Sequence, residues 1–228
     1  MLNRAARFFP ILRELKSNLP NGGTLLEVGS GAAGLGEFWE IPFVGCDVAF
    51  SSLPVENMRA VRCSGHQLPF ADGAFDGVVV SDVMEHVLPG QRKQVVAEVL
   101  RVARTVAVFA YPCGPEAFEL DRRLHREYQS RNLTPPVWLE EHMLHAFPDE
   151  ELLAELPTGW NRHVLPNETL EFHYWMMRTE MFRRWNYSFR LALRIMPGLV
   201  ERFLRLVNRE PSYRKIFVLT RESVTAYA

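Results

Sequence analysis

The sequence predicts an α/β fold: a doubly wound, mostly parallel seven-stranded sheet with helices on both faces and helical insertions near the C-terminus. Three observations lead there. Short runs rich in Val, Leu, Ile and Phe recur along the chain, segments of helical periodicity separate them, and the first run ends in a turn of small residues, Gly29-Ser30-Gly31-Ala32-Ala33-Gly34. Apolar runs of this kind are strands buried on both faces, and their alternation with helices makes them parallel neighbours.

The elements follow in order. An N-terminal helical segment, 1–20, has its periodic part in residues 4–18, where Phe8, Ile11, Leu12 and Leu15 share one face, and Leu19-Pro20-Asn21-Gly22-Gly23 stops it. Strands are predicted near 24–28, 43–47, 59–63, 76–81 and 105–111. Gly34 is expected to let a helix after the first strand lie close to the sheet. The helix from about Gln91 to Ala103 buries Val95, Val96, Val99 and Val102, and another over 149–156 begins at Asp149 after Pro148. Strands near 162–165 and 215–220 complete the sheet. At 228 residues, 47% hydrophobic and 23% charged, the chain makes one full core, with no room for separate dinucleotide and substrate domains.

The chemistry-bearing residues gather at strand ends. Leu25-Leu26-Glu27-Val28-Gly29 opens the glycine turn, and Phe43-Val44-Gly45-Cys46-Asp47 ends in a second carboxylate. The glycines let the backbone approach a ligand. Their Gly-x-Gly-x-x-Gly spacing also suits a dinucleotide, whose pyrophosphate sits on a helix N-terminus. Glu27 argues against that ligand, because a carboxylate just before the first glycine sits poorly beside a pyrophosphate and attracts an ammonium instead. A third cluster runs from Leu68-Pro69-Phe70 through a turn and a buried strand to Ser81-Asp82-Val83-Met84-Glu85-His86.

Taken together, the motifs of residues 22–112 resemble the class I S-adenosylmethionine-dependent methyltransferases, within them the small-molecule, type 11-like group similar to the quinone-biosynthesis enzymes. The resemblance implies a Rossmann-like fold, S-adenosylmethionine as cofactor and S-adenosylhomocysteine as product. It implies Glu27 and the backbone of Gly29, Ser30 and Gly31 around the methionine part, Asp47 on the ribose hydroxyls, Val48 against the adenine, and Ser81 and Asp82 near the methyl donor. Where the family carries an aspartate before its Leu-Pro-Phe, this chain has Ser64 followed by Gly65, so a hydroxyl stands at the adenine amino group. The implied reaction is direct methyl transfer to an O, N or C nucleophile of a small molecule, a lipid or sugar included.

Residues 113–148, rich in histidine, aromatics and proline, follow the fifth strand and are expected to form a substrate lid. The catalytic candidates are Asp82, His86, Tyr128, His142 and His145, with Glu141 beside them. Imidazoles titrate near neutrality and so suit proton transfer. Asp82 has a second reading as the cap of a following helix. His142 and His145 are spaced to share one helical face, but no third and fourth ligand stands at a zinc spacing, so no metal is expected.

Between the last two strands, 168–210 reads as a helical insertion. Phe182, Trp185, Phe189, Leu193 and Met196, then Val200, Phe203, Leu206 and Val207 after Pro197-Gly198, recur at helical spacing. Residues 178–209 carry eight arginines against Glu180 and Glu201, a net of +6. These helices are expected to pack on the sheet or on a second copy in a homodimer; peripheral contact with an anionic membrane is the competing reading. The acceptor expected is a small molecule, since a pI of about 6.7 speaks against nucleic acid. Three cysteines without metal spacing and the lack of a secretory or membrane-spanning apolar run point to the cytoplasm, peripheral to the membrane in the competing reading. Two other function classes stay open: a non-catalytic S-adenosylmethionine-binding regulatory protein, allowed by Ser64, and an NAD(P) oxidoreductase, opposed by Glu27.

Overall fold

The computed structural model describes residues 2–180 and 195–222. Within them β1 (Leu25–Val28), β2 (Phe43–Asp47), β3 (Met58–Arg62), β4 (Phe75–Ser81), β5 (Ala103–Pro112), β6 (Trp160–Thr169) and β7 (Ser212–Arg221) form one sheet in the order β3-β2-β1-β4-β5-β7-β6. The first five are parallel, and β7 runs antiparallel between β5 and β6. Strand order reverses between β1 and β4, and ligands of open α/β sheets bind outside the carboxyl ends at such a switch point.

Alternation along the buried strands decides which helix covers which face. In β4, Val78 and Val80 pack with Val95, Val96 and Val99 of α2 (Arg92–Val102), while Val79 points the other way, into a cluster with Phe8, Ile11, Leu12 and Leu15 of α1 (Leu2–Asn18). All three valines are fully buried; each such side chain contributes about 1.5–3 kcal/mol of transfer free energy. A third cluster joins Leu2, Ala5 and Ala6 of α1 to α3 (Gly114–Ser130), α4 (Val137–His142), α5 (Leu170–Glu180) and α6 (Pro197–Val207) through Leu124, Leu139, Met176 and Leu204. Of the apolar residues read into the insertion, Phe182, Trp185, Phe189 and Leu193 lie outside the described residues. On α6, Val200 and Val207 pack inward, whereas Phe203 and Leu206 are exposed. No described helix is long and apolar enough to cross a membrane.

Two expected helices are shorter than the sequence suggests. After β1 there is only a 3-10 turn, Gly34–Glu37, because Gly34 at φ +48°, Gly36 and the approach of Pro42 leave too few helix formers before β2. Over 149–156 only Glu150–Leu153 coils, also as a 3-10 turn; the Asp149 carboxylate accepts the Glu151 N–H, and Pro157 stops continuation.

Glu27 holds the glycine loop from below. Its Oε2 accepts the Leu35 N–H at 2.8 Å, and a Cβ on Gly34 would stand 1.9 Å from that oxygen, so glycine is required there. Burial pushes the Glu27 carboxyl up to about 7, against the Leu35 N–H and the charges of Arg7 and Arg4, which pull it down. A single buried cation ties the last strands to β4. Arg214 of β7 donates from Nε and Nη2 to Asp82 Oδ1 and Oδ2 (2.7 and 2.9 Å), and from Nη1 to Asn167 Oδ1 and Glu168 Oε1 of β6 (3.0 and 2.7 Å). Arg7 of α1 adds a bond to Asp82 Oδ2 at 2.7 Å.

Arg214→Met leaves Asp82 and Glu168 partly unpaired and is expected to cost about 3–5 kcal/mol in equilibrium urea unfolding; a cost below about 1 kcal/mol, the level of a surface pair, would contradict the network. For Glu27 the folded state keeps a proton that the unfolded chain loses above its ordinary range, so stability falls as pH rises from about 4.5 to about 7. Glu27→Gln removes that loss. Relative to wild type it should gain on the order of 1–3 kcal/mol between about pH 5 and pH 8, measured by paired urea titrations. A pH-independent difference would rule out the protonated buried carboxyl.

Candidate active site

Two cavities open at the switch point. The larger, about 720 Å³, is lined by Val28 and Gly29 after β1, Asp47 and Val48 after β2, Ser64, Gly65 and His66 after β3, and Asp82, Val83, Glu85, His86 and Val87 after β4. Gly29 has φ +75°, and a Cβ there would meet Val83 Cγ2 at 2.2 Å, so only glycine seats the loop against the turn that follows β4. The Gly31 N–H donates to Asp47 Oδ2 at 2.8 Å, and the Ala49 N–H to Oδ1 at 3.3 Å, which fixes an acceptor-only carboxylate at the cavity edge. Ser64 Oγ lies 2.8 Å from His66 Nδ1.

The smaller cavity, about 280 Å³, is lined by Asn3 and Arg7 of α1, Asp82, Glu85 and His86, Trp138 and His142 of α4, His173 and Met177 of α5, and Tyr213 and Arg214 of β7. Two imidazoles in its wall are held by buried carboxylates. His142 Nδ1 donates to Asp121 Oδ2 at 2.6 Å, an oxygen that also accepts the Tyr213 hydroxyl at 2.8 Å. His173 Nδ1 donates to Glu168 Oε2 at 2.6 Å, and the ring stacks on Tyr213 with centroids 3.4 Å apart. A proton on Nδ1 leaves the lone pair on Nε2. His173 Nε2 is buried and has no hydrogen-bond partner among the described residues.

Of the residues the sequence singled out, Gly29, Asp47, Val48, Ser64, Gly65, Asp82, His86 and His145 line the larger cavity. Asp82 and His86 line the smaller one too, together with His142. Glu27 lines neither, and its carboxylate accepts the Leu35 N–H. Ser30, Gly31 and Ser81 stand behind the lining, and Ser30 Oγ bonds the Gly31 carbonyl at 3.0 Å. Tyr128 packs against the third core cluster and lines neither cavity. Asp82 caps no helix, because residues 83–87 form only a turn. It sits at φ +50° with both oxygens on guanidinium groups; burial alone would raise its carboxyl, but Arg214 and Arg7 hold it below the usual carboxylate range. That makes it a fixed anion and no proton carrier.

Asn3, Arg7, Trp138, His173, Tyr213 and Arg214 escaped the sequence reading. They come from opposite ends of the chain, and the aromatic run Phe172-His173-Tyr174-Trp175 was the one local signal.

Residues 26–110 match a family model described as a methyltransferase domain. No curated protein matches the chain. Among solved structures it is similar to an S-adenosylmethionine-dependent methyltransferase from Thermotoga maritima, at 17% identity and a TM-score of 0.52 over 92% of this chain and 87% of that one. A Pyrococcus horikoshii protein is similar at 16% identity and 0.55, over 96% and 90%. So is a Haemonchus contortus phosphoethanolamine N-methyltransferase, seen with phosphomonomethylethanolamine and S-adenosylhomocysteine, at 15% and 0.52; 87% of this chain aligns with 49% of that one. These likenesses are of fold. The family match spans β1 to β5 and takes in the glycine loop at the switch point.

Proposed function

We propose that the protein moves a methyl group from S-adenosylmethionine in the larger cavity to an O, N or C nucleophile of a small polar molecule in the smaller one. The observation that carries this reading is that the two cavities share Asp82, Glu85 and His86, so a donor in one and an acceptor in the other meet at the carboxyl end of β4.

The larger cavity's residues fit the cofactor. Asp47, fixed by two backbone amides, has lone pairs left for a ribose diol, and Gly29 lines the same cavity. Val48, Leu88 and Leu144 give apolar surface for an adenine, with Ser64 and His66 at its polar edge. The cofactor supplies an activated methyl on a sulfonium. The chain's task is then alignment and exclusion of water, and holding two reactants in line is worth about 7–11 kcal/mol. Segment 113–148 serves both cavities, Glu141, Leu144 and His145 over the larger and Trp138 and His142 over the smaller, which supports the reading of a substrate lid. His173 lines the acceptor cavity with Nδ1 bonded to Glu168 and Nε2 unpartnered among the described residues, which makes it the candidate to take a proton from a hydroxyl or amine. The smaller cavity admits a polar group of modest size, since Arg7, Arg214, Asp82 and Glu85 stand in its wall.

Calorimetric titration with S-adenosylhomocysteine, NAD and NADP tests the cofactor: binding of the first alone is expected, and nicotinamide binding without it would overturn the reading. Asp47→Ala should weaken S-adenosylhomocysteine by about 10- to 100-fold, the loss of one or two charged hydrogen bonds. Unchanged affinity would remove Asp47 from the site.

A further inference from the structure

We infer that Glu85, His86 and His142 form a binding site for a divalent first-row transition ion, such as Zn²⁺, at the junction of the two cavities. One ligand atom from each of these three residues lies within 4.8 Å of the other two, and the His86 and His142 rings are 4.9 Å apart. Bonds of about 2.1 Å place neighbouring ligand atoms roughly 3–3.5 Å apart, so the set closes on an ion by small side-chain shifts. His142 Nε2 already faces Glu85 Oε1 at 3.9 Å.

Three independent features point to an ion. Glu85 is 2% exposed, yet neither of its oxygens has a hydrogen-bond partner among the described residues. A buried carboxylate left so is costly unless something else satisfies it. The guanidinium groups of Arg7 and Arg214 bond Asp82 and Glu168, and none of these bonds goes to Glu85. The His142 imidazole is also braced through Nδ1 by a hydrogen bond to Asp121 at 2.6 Å, and His86 Nδ1 lies 3.0 Å from Glu141 as an ion-pair contact. Bracing of this kind fixes the tautomer that presents Nε2 and is the usual support of a metal-bound histidine. Two imidazoles and one carboxylate suit Zn²⁺, Fe²⁺ or Co²⁺ better than Mg²⁺, which prefers oxygen. The remaining coordination positions would face the smaller cavity. On the methyltransferase reading, on which this role rests, the ion would bind an oxygen or nitrogen of the acceptor and ease loss of its proton.

The spacing argument missed this site because it looked for the partners of His142 close in sequence. His145 stays in the wall of the larger cavity, while Glu85 and His86 arrive from the turn after β4.

The test is titration of the metal-stripped protein with Zn²⁺ and Co²⁺ by calorimetry and visible absorption, with S-adenosylhomocysteine binding measured on the same samples. Wild type should take up one equivalent, with Co²⁺ bands of a nitrogen and oxygen site. His86→Ala, at a partly exposed position, and Asp121→Asn, which loosens the brace of His142 together with the Tyr213 hydroxyl bond, should each weaken Zn²⁺ at least tenfold. Asp121→Asn, at a residue that lines neither cavity, should keep S-adenosylhomocysteine affinity. Wild type that binds S-adenosylhomocysteine but no Zn²⁺ would overturn the site, as would unchanged Zn²⁺ affinity in His86→Ala. An intense near-ultraviolet thiolate band would place the ion on the neighbouring Cys46 and Cys63 and also overturn it. Loss of S-adenosylhomocysteine binding in wild type would count against the methyltransferase reading alone, since the metal titration does not depend on it.

Discussion

Arg214 is the constraint on which the smaller cavity of this molecule depends. A guanidinium 2% exposed in the last strand survives only because four charge-assisted or polar bonds receive it, and their acceptors come from two separate parts of the chain, the end of β4 and β6. Asp82 is thereby pinned in a left-handed backbone conformation that few residues adopt. The turn that follows it carries Glu85 and His86 to the meeting point of the cavities. Such a pair is not favoured because it is charged; desolvating both groups offsets much of the attraction. What it provides is a fixed position for the end of β4.

The polar groups near this point divide by partner. Asp82 and Glu168 are neutralised by arginine, whereas Asp121 holds the His142 imidazole and the Tyr213 hydroxyl and the Glu85 carboxylate has no hydrogen-bond partner among the described residues. Burial drives the Glu85 carboxyl well above its ordinary value, and the Asp82 charge pushes the same way. On the other side of the loop, Glu27 is buried to a similar degree but has an amide to accept. Two glutamates thus share burial and differ in satisfaction, one structural and one available.

The sheet was legible in the sequence because each strand is its own signal: every predicted strand lies within or beside an observed one, down to β7, seen as Lys215-Ile216-Phe217-Val218-Leu219-Thr220. Helices bounded by glycine and proline were less legible, since periodicity does not tell a 3-10 turn from the start of a longer helix. The rim of the larger cavity could be read from motifs, because glycine turns and strand-end carboxylates are local. Glu27 shows the limit of that reading: its motif position was plain, but its direction depended on Gly34 leaving room beneath the loop. The smaller cavity was not legible at all, since Arg7, His173 and Arg214 meet only after the sheet and α5 have packed.

The lining of the larger cavity falls between Val28 and His145, whereas the smaller adds Asn3 and Arg7 at one extreme and His173 through Arg214 at the other. On the proposed reading, the residues that would meet the acceptor alone come largely from the two ends of the chain, so mutations in the first helix or the last strands would be free to redirect the choice of acceptor while the larger cavity is inherited intact.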